Sequence, residues 1–211
     1  MRILLVAADE SETQFLREYL KNGFSGSPPD FLHTGIGMVA MTYALTRHLS
    51  QNTYDLVVNI GLAGAIDPDL RLGAVVAVTE DHFYELGAQD GDRFLTFGEV
   101  GFPVQDRIVP ERFFLPAILE LPSVTAVTVN TVHGEEKAIE ILRTRSGASV
   151  ESMEGAAFYY VCNGFGVKCL QLRAVSNRVE RRNRDAWDLP LAVSRLSEAL
   201  LQVLQIANTH A

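Results

Sequence analysis

The sequence predicts an α/β fold in which a mostly parallel or mixed β-sheet carries helices on both faces. Apolar runs of strand length alternate with stretches of helical period along the whole chain. Hydrophobic residues make up 47% of the 211, enough for one sizeable core. No repeat, low-complexity tract or linker interrupts the pattern, so residues 1–211 are expected to form one domain.

The first run, Ile3-Leu4-Leu5-Val6-Ala7-Ala8, is too short for a secretory leader and has no cleavage site. It reads as a buried strand, and the protein as cytoplasmic. Helical periods follow over 12–22 and 37–49, then strand-like runs over 56–60 and 74–78. Between about 80 and 112 the pattern dissolves into aromatics, glycines and charges. Loops of that length are usually functional or disordered, so part of this stretch is read as a lid or subunit contact. Beyond it come a strand over 124–129, helices over 135–143 and 154–163, and a strand over 167–173. The last helix, 189–207, aligns Leu189, Val193, Leu196, Leu200, Val203 and Leu204 on one face.

Eighteen basic and 26 acidic residues leave a formal charge of −8. That is the wrong sign for a nucleic-acid or anionic-membrane partner, and no apolar run approaches the ~18–20 residues that span a bilayer. Cys162 and Cys169 lack CxxC spacing and read as buried free thiols. The histidines (His33, His48, His82, His133, His210) show no metal-ligand spacing, so neither a metal nor another cofactor is expected.

Gly35-Ile36-Gly37-Met38-Val39-Ala40 fits the GxGxxA dinucleotide pattern. That pattern belongs in the first strand-to-helix turn, with an acid about 20 residues on at the next strand's end. Here the first turn, Ala8-Asp9-Glu10-Ser11, has no glycine, and Asp55 precedes its strand. The dinucleotide reading fails on position. Asn59-Ile60-Gly61-Leu62-Ala63-Gly64 reads as a second glycine turn, at a strand's carboxyl end where small residues let backbone N–H groups approach a ligand. Judged alone, either glycine pair is equally a tight turn with positive φ.

Four segments occur in order: Ala8-Asp9-Glu10-Ser11-Glu12, Gly35-Ile36-Gly37, the 59–64 turn, and Val150-Glu151-Ser152-Met153-Glu154-Gly155-Ala156-Ala157. With Leu172-Arg173-Ala174-Val175-Ser176-Asn177 they resemble the nucleoside phosphorylase and nucleosidase family, especially its methylthioadenosine nucleosidase branch. The resemblance covers nearly the whole chain. It implies a three-layer nucleoside-phosphorylase-like fold, a mixed and partly closed sheet surrounded by helices, with the site at strand ends. It also implies that Glu12 activates water, Glu154 holds the ribose 2′ and 3′ hydroxyls, and Met153 lies under the sugar. Ser176 and Asn177 fall at the base-binding end, and Leu62, Ala63, Gly64 and Val132 among the substrate contacts. A small-molecule nucleoside as substrate and a homo-oligomer that completes the site are implied as well.

The chemistry supports these residue types separately. Breaking an N-glycosidic bond develops positive charge on the sugar, which nearby carboxylates stabilise. A positioned carboxylate also takes the proton of an attacking water. Taken alone, Glu12 reads as a solvated first-turn carboxylate favoured by the helix dipole. Asn177 departs from the adenine-cleaving nucleosidases, which carry Asp at the matching position. A 6-oxopurine presents acceptors at both O6 and N7, so a facing carboxylate mismatches it, whereas an amide donates to O6 and accepts from N7–H. The glycine turns lack the arginines with which hexameric phosphorylases hold phosphate, so water is the expected attacker.

Downstream, Ser176-Asn177, Glu180, the run Arg182-Asn183-Arg184 and Trp187 resemble the futalosine hydrolase branch. That branch implies release of hypoxanthine from futalosine, in the alternative menaquinone route. Arg178, Arg181, Arg182 or Arg184 would meet the carboxylate of the substrate's 5′ tail, with Arg178 and Arg182 as the candidates, while Trp187 or Phe83 packs on its ring. Arg173 reads as an ion-pair partner for an active-site carboxylate. Three alternatives stay open: another 6-oxopurine nucleosidase or phosphorylase, a methylthioadenosine or adenosylhomocysteine nucleosidase, and a binding module without catalysis.

Overall fold

The computed structural model describes residues 1–21, 26–116 and 119–209; the expected helix end at Asn22, and His210, lie outside them. Ten strands follow in chain order: β1 (Ile3–Ala7), β2 (Asp30–His33), β3 (Leu56–Ala65), β4 (Val75–Phe83), β5 (Gly87–Asp90), β6 (Arg93–Thr96), β7 (Arg107–Ile108), β8 (Ser123–Thr128), β9 (Val150–Ser152) and β10 (Cys169–Arg178). The helices are α1 (Gln14–Lys21), α2 (Met38–Leu49), α3 (Phe97–Val100), α4 (Glu136–Ser146), α5 (Gly155–Phe165) and α6 (Leu189–Thr209).

β3 is the axis of the sheet. One edge pairs with β10 along its length; the other pairs with β1 over Leu56–Asn59 and with β9 at Gly64 and Ala65. From β10 the ladder runs through β4, β8 and β9 back to β3, closing a ring, while β1 and β2 extend as an open wing. The sheet is mixed and partly closed: β1, β2, β3 and β10 run one way and β4, β8 and β9 the other.

Helices cover both faces. Met41 and Leu45 of α2 and Phe158 of α5 pack over Val57, Val76 and Val175. On the opposite face Leu196, Leu200 and Val203 of α6, with Leu16 of α1, pack over Val58, Ile60 and Leu172. Burying each such side chain stabilises by about 1.5–3 kcal/mol. Ile139 and Leu142 of α4 cover Val127 and Val129. Cys162 and Cys169 are free and buried. No helix among the described residues is long and apolar enough to cross a membrane.

Several local expectations need correction. The segment 59–64 is not a turn, because β3 runs through it to Ala65. Its glycines serve close approach: a Cβ on Gly61 would lie 2.5 Å from Arg173 Nη1, and one on Gly64 2.9 Å from Val179 Cγ2. The first helix begins at Gln14, after a separate 3-10 turn at Glu10–Glu12. Leu189 is 40% exposed and lies off the buried face of α6. The stretch 80–112 is largely structured, as the end of β4, a β5–β6 hairpin, a one-turn α3 and β7. Short strands β2, β9 and β7 carry too few residues to show a period.

Candidate active site

β1 stops at Ala7, so the β3 edge is unpaired between Asn59 and Gly64. Glu12 fills that gap. Asp9 caps the turn by accepting from Ser11 N, and this directs Glu12 back toward the sheet. Its Oε2 accepts from Ala8 N at 3.0 Å and Asp9 N at 3.3 Å, and its Oε1 from Leu62 N at 3.1 Å. Burial raises the carboxyl above the usual range, opposed by the charge of Arg173; Glu154 adds to the rise, which places the two glutamates in one electrostatic field.

β9 runs antiparallel to β3 from Ala65, so the chain leaving Ser152 heads back along β3. Half-buried Met153 and buried Glu154 follow. Glu154 opens α5 without capping it; its Oε1 accepts instead from Gly37 N at 2.9 Å. Gly37 has φ +94, a conformation that favours glycine and aims this N–H across the site. The other carboxylate oxygen of Glu154 makes no hydrogen bond among the described residues.

At the far end, β10 carries a bulge: Val175 pairs with Ala63 and Asn177 with Gly64, leaving Ser176 as the extra residue. Ser176 Oγ donates to Asn177 Oδ1 at 2.8 Å and approaches Ala63 O at 3.4 Å. Asn177 Nδ2 donates to Arg178 O at 3.0 Å. A carbonyl only accepts, so this contact fixes which way the amide faces. One N–H and one lone pair of Asn177 remain free among the described residues.

Glu12, Glu154 and Asn177 therefore gather along β3. Glu12 sits at Gly61 and Leu62, and Asn177 at Gly64, two to three residues or about 7–10 Å away at ~3.3 Å per residue. Half-buried Leu62, buried Ala63 and half-buried Gly64 form the floor between them. Val132, 44% exposed, stands on the loop after β8.

The arginines divide. Arg178 Nη1 donates to Pro68 O at 3.0 Å. Arg182 and Arg184 stand 5.3 and 5.9 Å from the ring of half-buried Trp187, and Asp188 N donates to Ser176 O at 2.9 Å, which ties this segment to the Asn177 end. Arg173 makes no contact ion pair among the described residues; fully buried, it donates to Asn59 Oδ1 at 2.6 Å and reaches Glu12 through its field alone. Asn59, the Gly37 N–H and a Glu151–His133 contact went unread in the sequence. Gly37 had a signal in its glycine pair, but the others are paired only by the fold.

A profile described as the Phosphorylase superfamily matches residues 3–205. Futalosine hydrolase of Thermus thermophilus is 33% identical over 193 residues, 86% of this chain and 84% of the relative. That of Acidothermus cellulolyticus is 34% identical over 182 residues, 81% and 72% of the two chains.

The chain belongs to the futalosine hydrolase family of the phosphorylase superfamily.

Among solved structures, a Helicobacter pylori methylthioadenosine nucleosidase mutant with 5′-methylthioadenosine in its active site superposes with a TM-score of 0.82, covering 97% of this chain and 98% of that one at 20% identity. Futalosine hydrolase of the same organism gives 0.80 at 19% identity, with coverage of 97% and 98%. At those identities the likeness speaks for the fold, a nucleoside-phosphorylase-like sheet surrounded by helices.

Proposed function

We propose that this chain hydrolyses the N-glycosidic bond of futalosine, releasing hypoxanthine and dehypoxanthine futalosine for the alternative menaquinone route. The observation that carries the reading is the oriented amide of Asn177, three β3 residues from the Gly61 contact of Glu12. The free N–H donates to O6 of hypoxanthine, and the free lone pair accepts from N7–H as the base departs. An adenine would set its N6 donor against that N–H, which disfavours the methylthioadenosine reading.

In this reading the free oxygen of Glu154 accepts from the ribose 2′ and 3′ hydroxyls while its charge steadies the cationic sugar. Met153 packs beneath the ring. Glu12 orients a water and takes its proton as oxygen attacks the anomeric carbon. The C–N electron pair leaves with the purine, which takes a proton from solvent at N7, while Glu12 passes the proton it removed from the attacking water back to solvent, so the proton count is unchanged. Burial raises the basicity of Glu12 in the direction that suits a general base. Leu62, Ala63, Gly64, Ser176 and Val132 complete the pocket. Arg182 beside Trp187 receives the aryl carboxylate tail; Arg178 joins it by exchanging its bond to Pro68 O. No cofactor enters the reaction.

In the working form, on this reading, residues 1–211 fold as one domain and the protein is a cytoplasmic homo-oligomer. Supporting it, Ile36, Val39 and Tyr43 are 68%, 79% and 67% exposed in and before α2, and Tyr160 of α5 is 61% exposed. A cleft of about 440 Å³ between Met38, Phe83, Val104 and Tyr160 opens beside the Gly37–Glu154 contact, where a partner's 80–112 segment closes the site.

The test is incubation of pure protein with futalosine, inosine and methylthioadenosine, with and without phosphate. Hypoxanthine released from futalosine in phosphate-free buffer supports the proposal. Cleavage of methylthioadenosine alone, or strict phosphate dependence, overturns it.

A further inference from the structure

Glu151 lies in β9, only 4% exposed, yet neither carboxylate oxygen pairs with a lysine or arginine among the described residues. Its Oε1 accepts from the main-chain N–H of His133 at 3.1 Å, and its Oε2 meets His133 Nδ1. A buried carboxylate is costly unless hydrogen-bonded, and a hydrocarbon would fill this sheet position at no such cost. What the carboxylate adds is a grip on one residue of the loop between β8 and α4.

That loop is held from the other side as well. Glu85 Oε2 accepts from Asn130 N at 3.0 Å and Asn130 Nδ2 at 2.8 Å. Tyr84 stands edge-on to the His133 ring, with centroids 5.3 Å apart, and its own face is covered by Arg145 at 3.8 Å. Between these two anchors sits Val132, an apolar side chain 44% exposed. Register gives the loop its meaning. Gly64 is the β3 partner of both Asn177 and Glu151, so the two lie in one row across three strands, on the same face, separated only by a glycine.

We infer that Glu151 and His133 form a positioning pair that fixes the 130–134 loop, Val132 included, as the wall of the base pocket facing Asn177 across Gly64. The inference rests on the nucleosidase reading proposed above. Neither residue touches the reacting atoms. Their effect is to hold the purine's far edge so that the Asn177 amide meets O6 and N7 in register.

The test uses the full-length protein, hypoxanthine titration calorimetry and futalosine kinetics on His133→Ala, Glu151→Ala, the double variant and His133→Asn. Loss of a hydrogen bond to a charged group predicts about tenfold weaker hypoxanthine binding and a similar rise in KM, with a smaller fall in kcat. Because the two residues act as a unit, the double variant is expected to be no worse than either single one. His133→Asn, which keeps a side-chain donor, is expected to recover most of the affinity. A merely structural role would lower the melting temperature while leaving Kd and KM unchanged. Wild-type Kd and KM in folded His133→Ala, or no recovery in His133→Asn, overturn the inference; the two His133 variants decide it if Glu151→Ala does not fold. Wild-type protein that neither binds hypoxanthine nor cleaves futalosine overturns the nucleosidase reading, and this inference with it.

Discussion

The side-chain amide of Asn177 donates to the main-chain carbonyl of Arg178 at 3.0 Å, so the fold around this position is built for an amide. An ionised aspartate in its place would set a carboxylate oxygen against both that carbonyl and O6 of the base. Asn177→Asp is expected to lower kcat/KM for futalosine roughly ten- to hundredfold, from a mismatch of ~1–3 kcal/mol. Activity undiminished at neutral pH would refute the O6 argument.

Glu12→Gln keeps one acceptor oxygen, toward either Ala8 N or Leu62 N, and removes the base. Turnover is expected to fall by about 10²–10⁴ with KM nearly unchanged. The base works only when deprotonated, and burial raises its carboxyl above the ordinary value of 4.5. The acid limb of wild-type kcat/KM should therefore lie above pH 4.5 and be absent from the residual activity of the variant. A pH–rate profile decides the point.

Trp187→Ala removes the ring beneath Arg182 and Arg184. With the tail seated there, KM for futalosine rises about tenfold while inosine cleavage is little changed. Equal losses on both substrates would move the tail elsewhere.

Asp81 is wholly buried in β4, accepting from Thr128 Oγ1 and Gln171 Nε2, both at 2.9 Å. Burial pushes its carboxyl up to about 6 from 3.8. Between those values the folded chain keeps a proton that the unfolded chain gives up, so stability falls as pH rises through the window, by about 3 kcal/mol in all. Asp81→Asn keeps an oxygen that accepts from Thr128, and once the Gln171 amide turns over, the new side chain's Nδ2 donates to Gln171 Oε1, which in the wild type has no hydrogen-bond partner among the described residues. The variant should melt higher than wild type at about pH 7.5, with the advantage vanishing near about pH 4. Thermal melts across that range give the answer, and a pH-independent difference would sink the account.

Much of this site was legible before folding because the chemistry is carried by residue type. The Glu12 turn, the Met153–Glu154 pair and Ser176–Asn177 are contiguous motifs; β1 announces itself as an unbroken apolar run, and the long helices α2, α5 and α6 through their period. Strands of two to four residues, such as β2, β7 and β9, are too short to do so.

The sequence by itself determined which groups attend the substrate: two glutamates, one amide in place of an acid, and an arginine-rich segment before Trp187. The tertiary structure decided where each of them points. β3 runs straight through its glycines because Arg173 and Val179 lean over them. Arg178 turns to Pro68 while Arg182 stays over Trp187, and Glu151 finds His133 eighteen residues away. The reason is one of range. Propensity and residue chemistry act within a turn or a strand, whereas hydrogen-bond partners are set by which strands the closed sheet brings side by side.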